Sequence, residues 1–300
     1  GERRALRDSG EDMRLSGLRT RRPASLSAAM TLLLLTSGCD TLGWREGVCR
    51  HLFVTDVTSG KVRQLTYGEG DHSSPCWSPD GSRIAFISDR HTDRELVSNT
   101  GAFVIAADGG ELECYSRDLC TVAALVWSPD SSGLAIIGSD DGEVEATWQG
   151  WVFLLSGNQK PIRITDDSMK PSAGFPPVFP PPQISWTSDG RLLFLADAKG
   201  ESYLCELSLE KGVLSRVTRG ANLINDVGFT ADGEKAAVLI TPPESAADIH
   251  IIEIDSGNQK KVTYSNDDYF KRHPAAKIKK FTLQRKGMDI QSRLFLPPNF

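Results

Sequence analysis

The chain lacks any apolar run near the roughly 18 residues that a membrane-spanning helix needs, so no helical membrane span is expected. Basic residues are not in excess. The 34 Lys and Arg stand against 39 Asp and Glu, a formal charge of −5, which argues against a protein built to bind nucleic-acid phosphates. Cysteine is scarce. Its six residues (Cys39, Cys49, Cys76, Cys114, Cys120 and Cys205) include no CxxC pair, which excludes a small disulfide scaffold and a zinc ribbon. They read as mostly buried thiols in a reducing compartment, so a cytoplasmic location is expected. What remains is ordinary globular material: 39% apolar residues and 27 glycines over 300 positions, enough for one large repeat domain or two smaller ones.

Residues 1–29 carry several arginines (Arg3, Arg4, Arg7, Arg14, Arg19, Arg21, Arg22) among Ser, Gly and acidic residues, with little to bury. Such a composition predicts disorder. The apolar stretch from Ala28 to Leu35, followed by Thr36-Ser37-Gly38-Cys39, imitates a secretory or lipoprotein signal and keeps export or lipid anchoring open beside the cytoplasmic reading. Residues 1–43 are therefore taken as a leader.

The middle of the chain repeats. Trp77-Ser78-Pro79-Asp80-Gly81 precedes Arg83-Ile84-Ala85-Phe86, and Trp127-Ser128-Pro129-Asp130 precedes Leu134-Ala135-Ile136. Weaker copies stand at Trp186-Thr187-Ser188-Asp189-Gly190 and Phe229-Thr230-Ala231-Asp232-Gly233. Pro presets φ, Asp bonds back to the backbone and Gly accepts positive φ, so each copy encodes a tight turn between short β-branched or aromatic runs. Each copy also has a second half that ends in an aliphatic residue and Thr: Leu65-Thr66, Ile164-Thr165, Val217-Thr218 and Val262-Thr263. The copy around Ala102-Phe103-Val104 has no such clear ending. The unit is a four-stranded antiparallel meander whose two faces both need cover, which radial stacking into a β-propeller supplies. The turn Trp is the candidate filler between blades.

The expected fold is all-β: a partial propeller over residues 44–264 of about four and a half blades, with half a blade at 44–66 and whole ones at 70–118, 121–166, 183–218 and 222–264. An open ring leaves sheet edges and apolar faces uncovered, so further N-terminal blades are expected. Between Pro171 and Pro182 six prolines alternate with Phe175 and Phe179. This stretch is either a docking or gating loop or an inter-blade insertion that packs its own Phe residues. Residues 265–280 are polar and basic and read as a linker. From Phe281 to Phe300 a β-hairpin with a turn at Arg285-Lys286-Gly287-Met288 opens a different domain.

The WSPDG-type blades, the Leu-Thr blade ends, His51-Leu52-Phe53-Val54 after Leu42-Gly43-Trp44, and the closing Lys286-Gly287 … Leu294-Phe295-Leu296-Pro297-Pro298-Asn299-Phe300 together resemble the prolyl-oligopeptidase family of serine peptidases, in its acylaminoacyl-peptidase and dipeptidyl-peptidase-like branch. The resemblance covers about Leu42 to Phe300. Two positions depart from it: Phe229 replaces Trp, and Ser292-Arg293 stands where the family usually has Gly-Trp. The resemblance implies that residues 281–300 start an α/β-hydrolase domain, and that a Ser-Asp-His triad with the Ser on a G-x-S-x-G elbow lies in that domain, beyond Phe300.

No catalytic, cofactor-binding or metal-ligating residue is assigned on this chain. Gly200-Glu201-Ser202-Tyr203-Leu204 lacks the second elbow Gly, and Gly138-Ser139-Asp140-Asp141-Gly142 has its Ser misplaced. His51, His72, His91, His250 and His273 share no ligand spacing with one another or with the cysteines, and are read as structural. Cys114 and Cys120 are read as thiols rather than a disulfide. Gly68-Glu69-Gly70-Asp71 is followed by no helix to present phosphate donors. The turn residues Asp80, Asp130, Asp189 and Asp232 offer one carboxylate each, too few for calcium. No cofactor is expected. The expected function is a substrate-gating fragment of a serine peptidase acting on short peptides and inactive alone. Its partners are peptide substrate reached through the hydrolase domain and further copies of itself. The alternative is a TolB-like propeller that binds protein without catalysis; such a module should stop near Thr263.

Overall fold

The computed structural model describes residues 28–32, 49–90, 99–141, 150–172, 182–220, 222–230, 232–298 and 300. Cys39, His91, Leu42-Gly43-Trp44, Phe175, Phe179 and Asn299 lie outside them. Blade one is the sheet β1 (Ala28–Leu32), β2 (Leu52–Asp56) and β3 (Val62–Gln64). Blade two runs β4 (His72–Trp77), β5 (Arg83–Ser88), β6 (Gly101–Ala106), β7 (Glu113–Cys114). Blade three runs β8 (Thr121–Trp127), β9 (Leu134–Ser139), β10 (Trp151–Leu155), β11 (Ile162–Arg163). In blade four, β12 (Lys170–Pro171) and β13 (Ile184–Trp186) both pair with β14 (Arg191–Ala198), followed by β15 (Glu201–Ser208) and β16 (Val213–Arg216). Blade five is β17 (Leu223–Phe229), β18 (Lys235–Thr241), β19 (Asp248–Glu253), β20 (Gln259–Lys261). All pairings are antiparallel, as the sequence predicts for a partial propeller.

Strands that are apolar on both sides dictate the stacking. In β5, Ile84 and Phe86 join the core shared with blade one, while Ala85 and Ile87 join the core shared with blade three. In β9, Leu134 and Ile136 face blade two, and Ala135 and Ile137 face blade four. In β14, Leu192 and Phe194 face blade three, and Leu193 and Leu195 face blade five. The cores therefore lie between sheets. The turn aromatic of each blade enters the core it shares with the preceding one: Trp77, Trp127, Trp186 and Phe229 in turn. Phe229 thus keeps the place of the Trp it replaces.

Three sequence expectations change. Ala28–Leu32, counted within the leader, is a strand paired with β2 from Ala28↔Asp56 to Leu32↔Leu52, so blade one has three strands rather than half a blade starting at residue 44. The 265–280 segment contains a short helix, α1 (Asp267–Arg272), tied down by Lys261 Nζ, which sits 2.6 Å from Asp267 and 2.8 Å from Asp248. The hairpin accordingly starts at Lys277, with β21 (Lys277–Arg285) and β22 (Met288–Leu296) closed by left-handed Lys286 and Gly287. Among the described cysteines, only Cys205 is buried; Cys49, Cys76, Cys114 and Cys120 are half-buried, because they sit on edge strands or connections.

Candidate functional site

The repeated turn is built from its own side chains. The Ser78 hydroxyl donates to Asp80 at 2.6 Å and accepts from Arg83 N at 2.9 Å, and Asp80 accepts from Ser82 N at 3.0 Å. Ser128 and Asp130 repeat this, as do Thr187 with Asp189 and Thr230 with Asp232. These hydrogen bonds hold the Asp80 and Asp130 carboxyls down at about 2 and lower those of Asp189 and Asp232. The four aspartates are thus committed to turn geometry. The left-handed position after the Asp is glycine in three turns and Ser131 (φ +61°) in the fourth. Ser131 is retained there because its hydroxyl accepts from Asp80 N at 3.1 Å and its carbonyl accepts from Arg83, linking adjacent turns.

The first strands of successive blades converge, β4 on β8 and β8 on β13, while the fourth strands form an exposed outer rim. Each first strand is irregular at one place. An extra residue interrupts the register between Ser73 and Cys76 in β4, between Val122 and Ala124 in β8, and between Ile224 and Asp226 in β17. In blade four the same place holds the Pro-rich insert. Pro171 pairs with Ala196, Ser172 N donates to Leu195 O at 2.8 Å, and Ile184 resumes the ladder opposite Phe194. Its exit is fixed by Gln183 Nε2, which donates to Asp226 of blade five at 2.5 Å. The first-strand line of blade four is therefore broken between Ser172 and Ile184, at the end where the other first strands carry their bulges. Residues 173–181, with both Phe residues, lie outside the described part.

These irregularities lie at the ring end where second strands leave for the third. That end is polar. His72 Nδ1 meets Ser88 Oγ at 2.8 Å, Ser202 donates to Asp197 at 2.7 Å, and Thr241 donates to Asn225 at 2.7 Å. Burial, with His51 and Arg90 nearby, pushes His72 down to about 4, so it is neutral near pH 7. Second-to-third connections are long in blades two and three, but in blade four the connection is only the left-handed pair Lys199-Gly200. The C-terminal hairpin lands on this short turn. Arg293 Nη2 donates to Gly200 O, and Lys280 pairs with Glu201, whose second carboxylate oxygen accepts from Tyr203. Lys280 and Arg293 are cross-strand partners, so one hairpin face meets the propeller. The other face presents Phe281, Leu283, Ile290 and Leu294 to solvent.

The sequence motifs with a catalytic look fall into structural places. Gly200-Glu201-Ser202 is a β-turn and strand start, and Ser139 ends β9. Gly68 and Gly70 are left-handed residues of the link between blades one and two. Cys114 and Cys120 are free thiols. Among the described residues, no three His, Cys, Asp or Glu side chains could together hold a metal ion. What sequence reading missed is the Lys280/Arg293 face. Its signal was present as basic residues alternating with Phe281, Leu283 and Leu294 across the hairpin.

A family model described as the dipeptidyl peptidase IV N-terminal region matches residues 27–148, starting one residue before β1. Dipeptidyl-peptidase 5 of Porphyromonas gingivalis is 22% identical over 277 residues, covering 86% of this chain and 38% of its own. In fold, a puromycin-hydrolyzing peptidase of Mycobacterium tuberculosis superposes with TM-score 0.59 at 16% identity, over 89% of this chain and 40% of that one. On sequence and fold together, the chain is similar to the propeller portion of prolyl-oligopeptidase-type peptidases. The chain spans well under half the length of the curated relatives it matches. It also shares its fold with TolB of Acinetobacter baumannii (TM-score 0.53, 18% identity, 82% of this chain and 57% of that one). No helix among the described residues is long and apolar enough to cross a membrane.

Proposed function

We propose that this propeller gates substrate entry to the catalytic centre of a serine peptidase that hydrolyses short peptides, of the dipeptidyl- or acylaminoacyl-peptide type. One observation carries the reading: the hairpin Lys277–Leu296 sets Lys280 and Arg293 on the blade-four turn, at the ring end that bears the inner-strand bulges and the insert. A hydrolase domain continuing from that hairpin covers its apolar face and sits over this end. Substrate then has to pass the ring or the seam between domains, which admits extended peptides and keeps folded chains and bulk water out. The chain contributes no triad residue, cofactor or metal ligand to this chemistry. Peptide substrate is its partner, self-association accompanies it, and the cytoplasm is its compartment.

The likeness to TolB favours a second reading, a binding module without catalysis. The docked hairpin speaks against it, since such a module has no use for it. The test assays a full-length protein containing this chain with dipeptidyl and N-acyl chromogenic substrates and with a folded protein. Turnover of the short substrates only, none by residues 1–300 alone, and faster cleavage of longer peptides once 173–181 are deleted is the expected result. Turnover by residues 1–300 alone, or equal cleavage of a folded protein, overturns the reading.

A further inference from the structure

The blades repeat a corner as well as a turn. In blades three, four and five the residue just before the N–H bound by the closing Thr is Trp151, Tyr203 and Asp248, and the residue two before that Thr is Arg163, Arg216 and Lys261. Register sets each pair on one face. Arg163 lies opposite Phe153, Arg216 opposite Cys205 and Lys261 opposite His250, each of them two positions along the third strand from the partner in question. The pairs touch: Arg163 Cζ sits 3.9 Å above the Trp151 ring, Arg216 Cζ 3.9 Å above the Tyr203 ring, and Lys261 Nζ is 2.8 Å from Asp248 Oδ2. In blades one and two the same places hold His51 with Gln64 and Gly101 with Cys114, without Lys or Arg.

In each of these three blades the pair holds a segment from outside its own sheet. The Trp151 indole donates to Asp167 at 2.9 Å, and Lys170 of blade four lies 3.6 Å from that carboxylate. Lys261 is shared between Asp248 and Asp267 of α1. Blade four does the same through Glu201, which alternates onto the Tyr203 face of β15. The phenol donates to one oxygen of the Glu201 carboxylate, and Lys280 of the hairpin takes the other. Glu201 directly follows the left-handed pair Lys199-Gly200, so its side chain depends on such a partner for a single rotamer. Arg216 above the ring fixes the buried Tyr203 and draws charge from it, which strengthens the O–H as a donor to a carboxylate. We infer that this corner is a docking seat of the repeat, and that in blade four Tyr203 and Arg216 are positioning residues which, through Glu201, fix where the hairpin joins the propeller. That seating is the same whether or not the propeller gates a peptidase.

The test follows hydrogen exchange of the amides of Lys277–Leu296 in the whole chain. Tyr203→Phe keeps the ring under Arg216 and removes only the hydroxyl; hairpin exchange is expected to rise about fivefold, the worth of one hydrogen bond, while β14 and β15 stay protected. Arg216→Met is expected to move it in the same direction by less. On a Glu201→Ala background Tyr203→Phe is expected to add nothing, because the hydroxyl acts only through that carboxylate. Trp151→Phe removes the matching donor of blade three and is expected to leave the hairpin as it was. An unchanged hairpin in Tyr203→Phe or Arg216→Met overturns the inference. So does a rise that persists without Glu201, is matched by Trp151→Phe, or comes with lost protection in β14 and β15, since the phenol then supports the blade rather than the joint.

Discussion

At the residue scale the fold rests on one hydrogen bond used five times. The hydroxyls of Thr66, Ser116, Thr165, Thr218 and Thr263 accept from the backbone N–H of Leu52, Ala102, Val152, Leu204 and Ile249 at 2.8–2.9 Å, fastening the end of each blade to its third strand. Thr165→Val keeps the shape and strands a buried N–H, so urea unfolding should show a loss of about 1–3 kcal/mol, with a smaller loss for Thr263→Val at its more exposed site. Titration gives a second prediction. Asp80 and Asp130 titrate lower in the folded chain than unfolded, so their contribution is present above about pH 4 and lost as pH falls toward 2. His72 is also depressed, so its unfolded form binds the extra proton, and stability falls as pH drops from about 6.5 to 4. His72→Asn should flatten the upper part of that curve, and Asp80→Asn with Asp130→Asn the lower part, in melting temperatures measured against pH. The Leu-Thr endings were legible in the sequence because four keep the same residue types. Ser116 was not, since its role is a hydroxyl position that Ser fills as well as Thr, and the buried residue before it is Tyr115 rather than an aliphatic one.

At the scale of the element, the paired runs around each turn announced second and third strands, because residues buried on both faces have few other solutions. The first strands were harder to read. Their bulges follow no composition, and the Pro-rich insert hid that Lys170–Pro171 and Ile184–Trp186 continue a single strand line along β14. The short strand Ala28–Leu32 was obscured by its basic flank, which imitates a signal. Close backbone approach is equally invisible in sequence. Gly138 lies in β9 where an added Cβ would fall 2.4 Å from Thr121 O and 2.9 Å from Ile136 Cδ1. Gly138→Ala should therefore cost about 1–3 kcal/mol by forcing β8 and β9 apart, measured as a lower urea midpoint with an unchanged slope. The candidate site was less legible than the fold, since the contact between hairpin and turn joins residues more than 75 positions apart.

For the whole molecule, the clasp between hairpin and blade four is the joint on which any second domain turns. Glu201→Lys should free residues 277–296, raising their amide hydrogen exchange while leaving the propeller core protected. Combining it with Lys280→Glu should restore much of the protection, which a purely steric effect of position 201 would not. The pair is partly exposed, and added salt should weaken it. The shared bulge has a consequence for how such rings diversify. Because the described inner strands of blades two to five each already break their ladder toward the same end, residues added there cost little further pairing and shift no neighbouring side chain to the wrong face. These four sectors thus each carry a ready socket, where ornaments facing the axis can be gained or lost while the surrounding architecture stays in register.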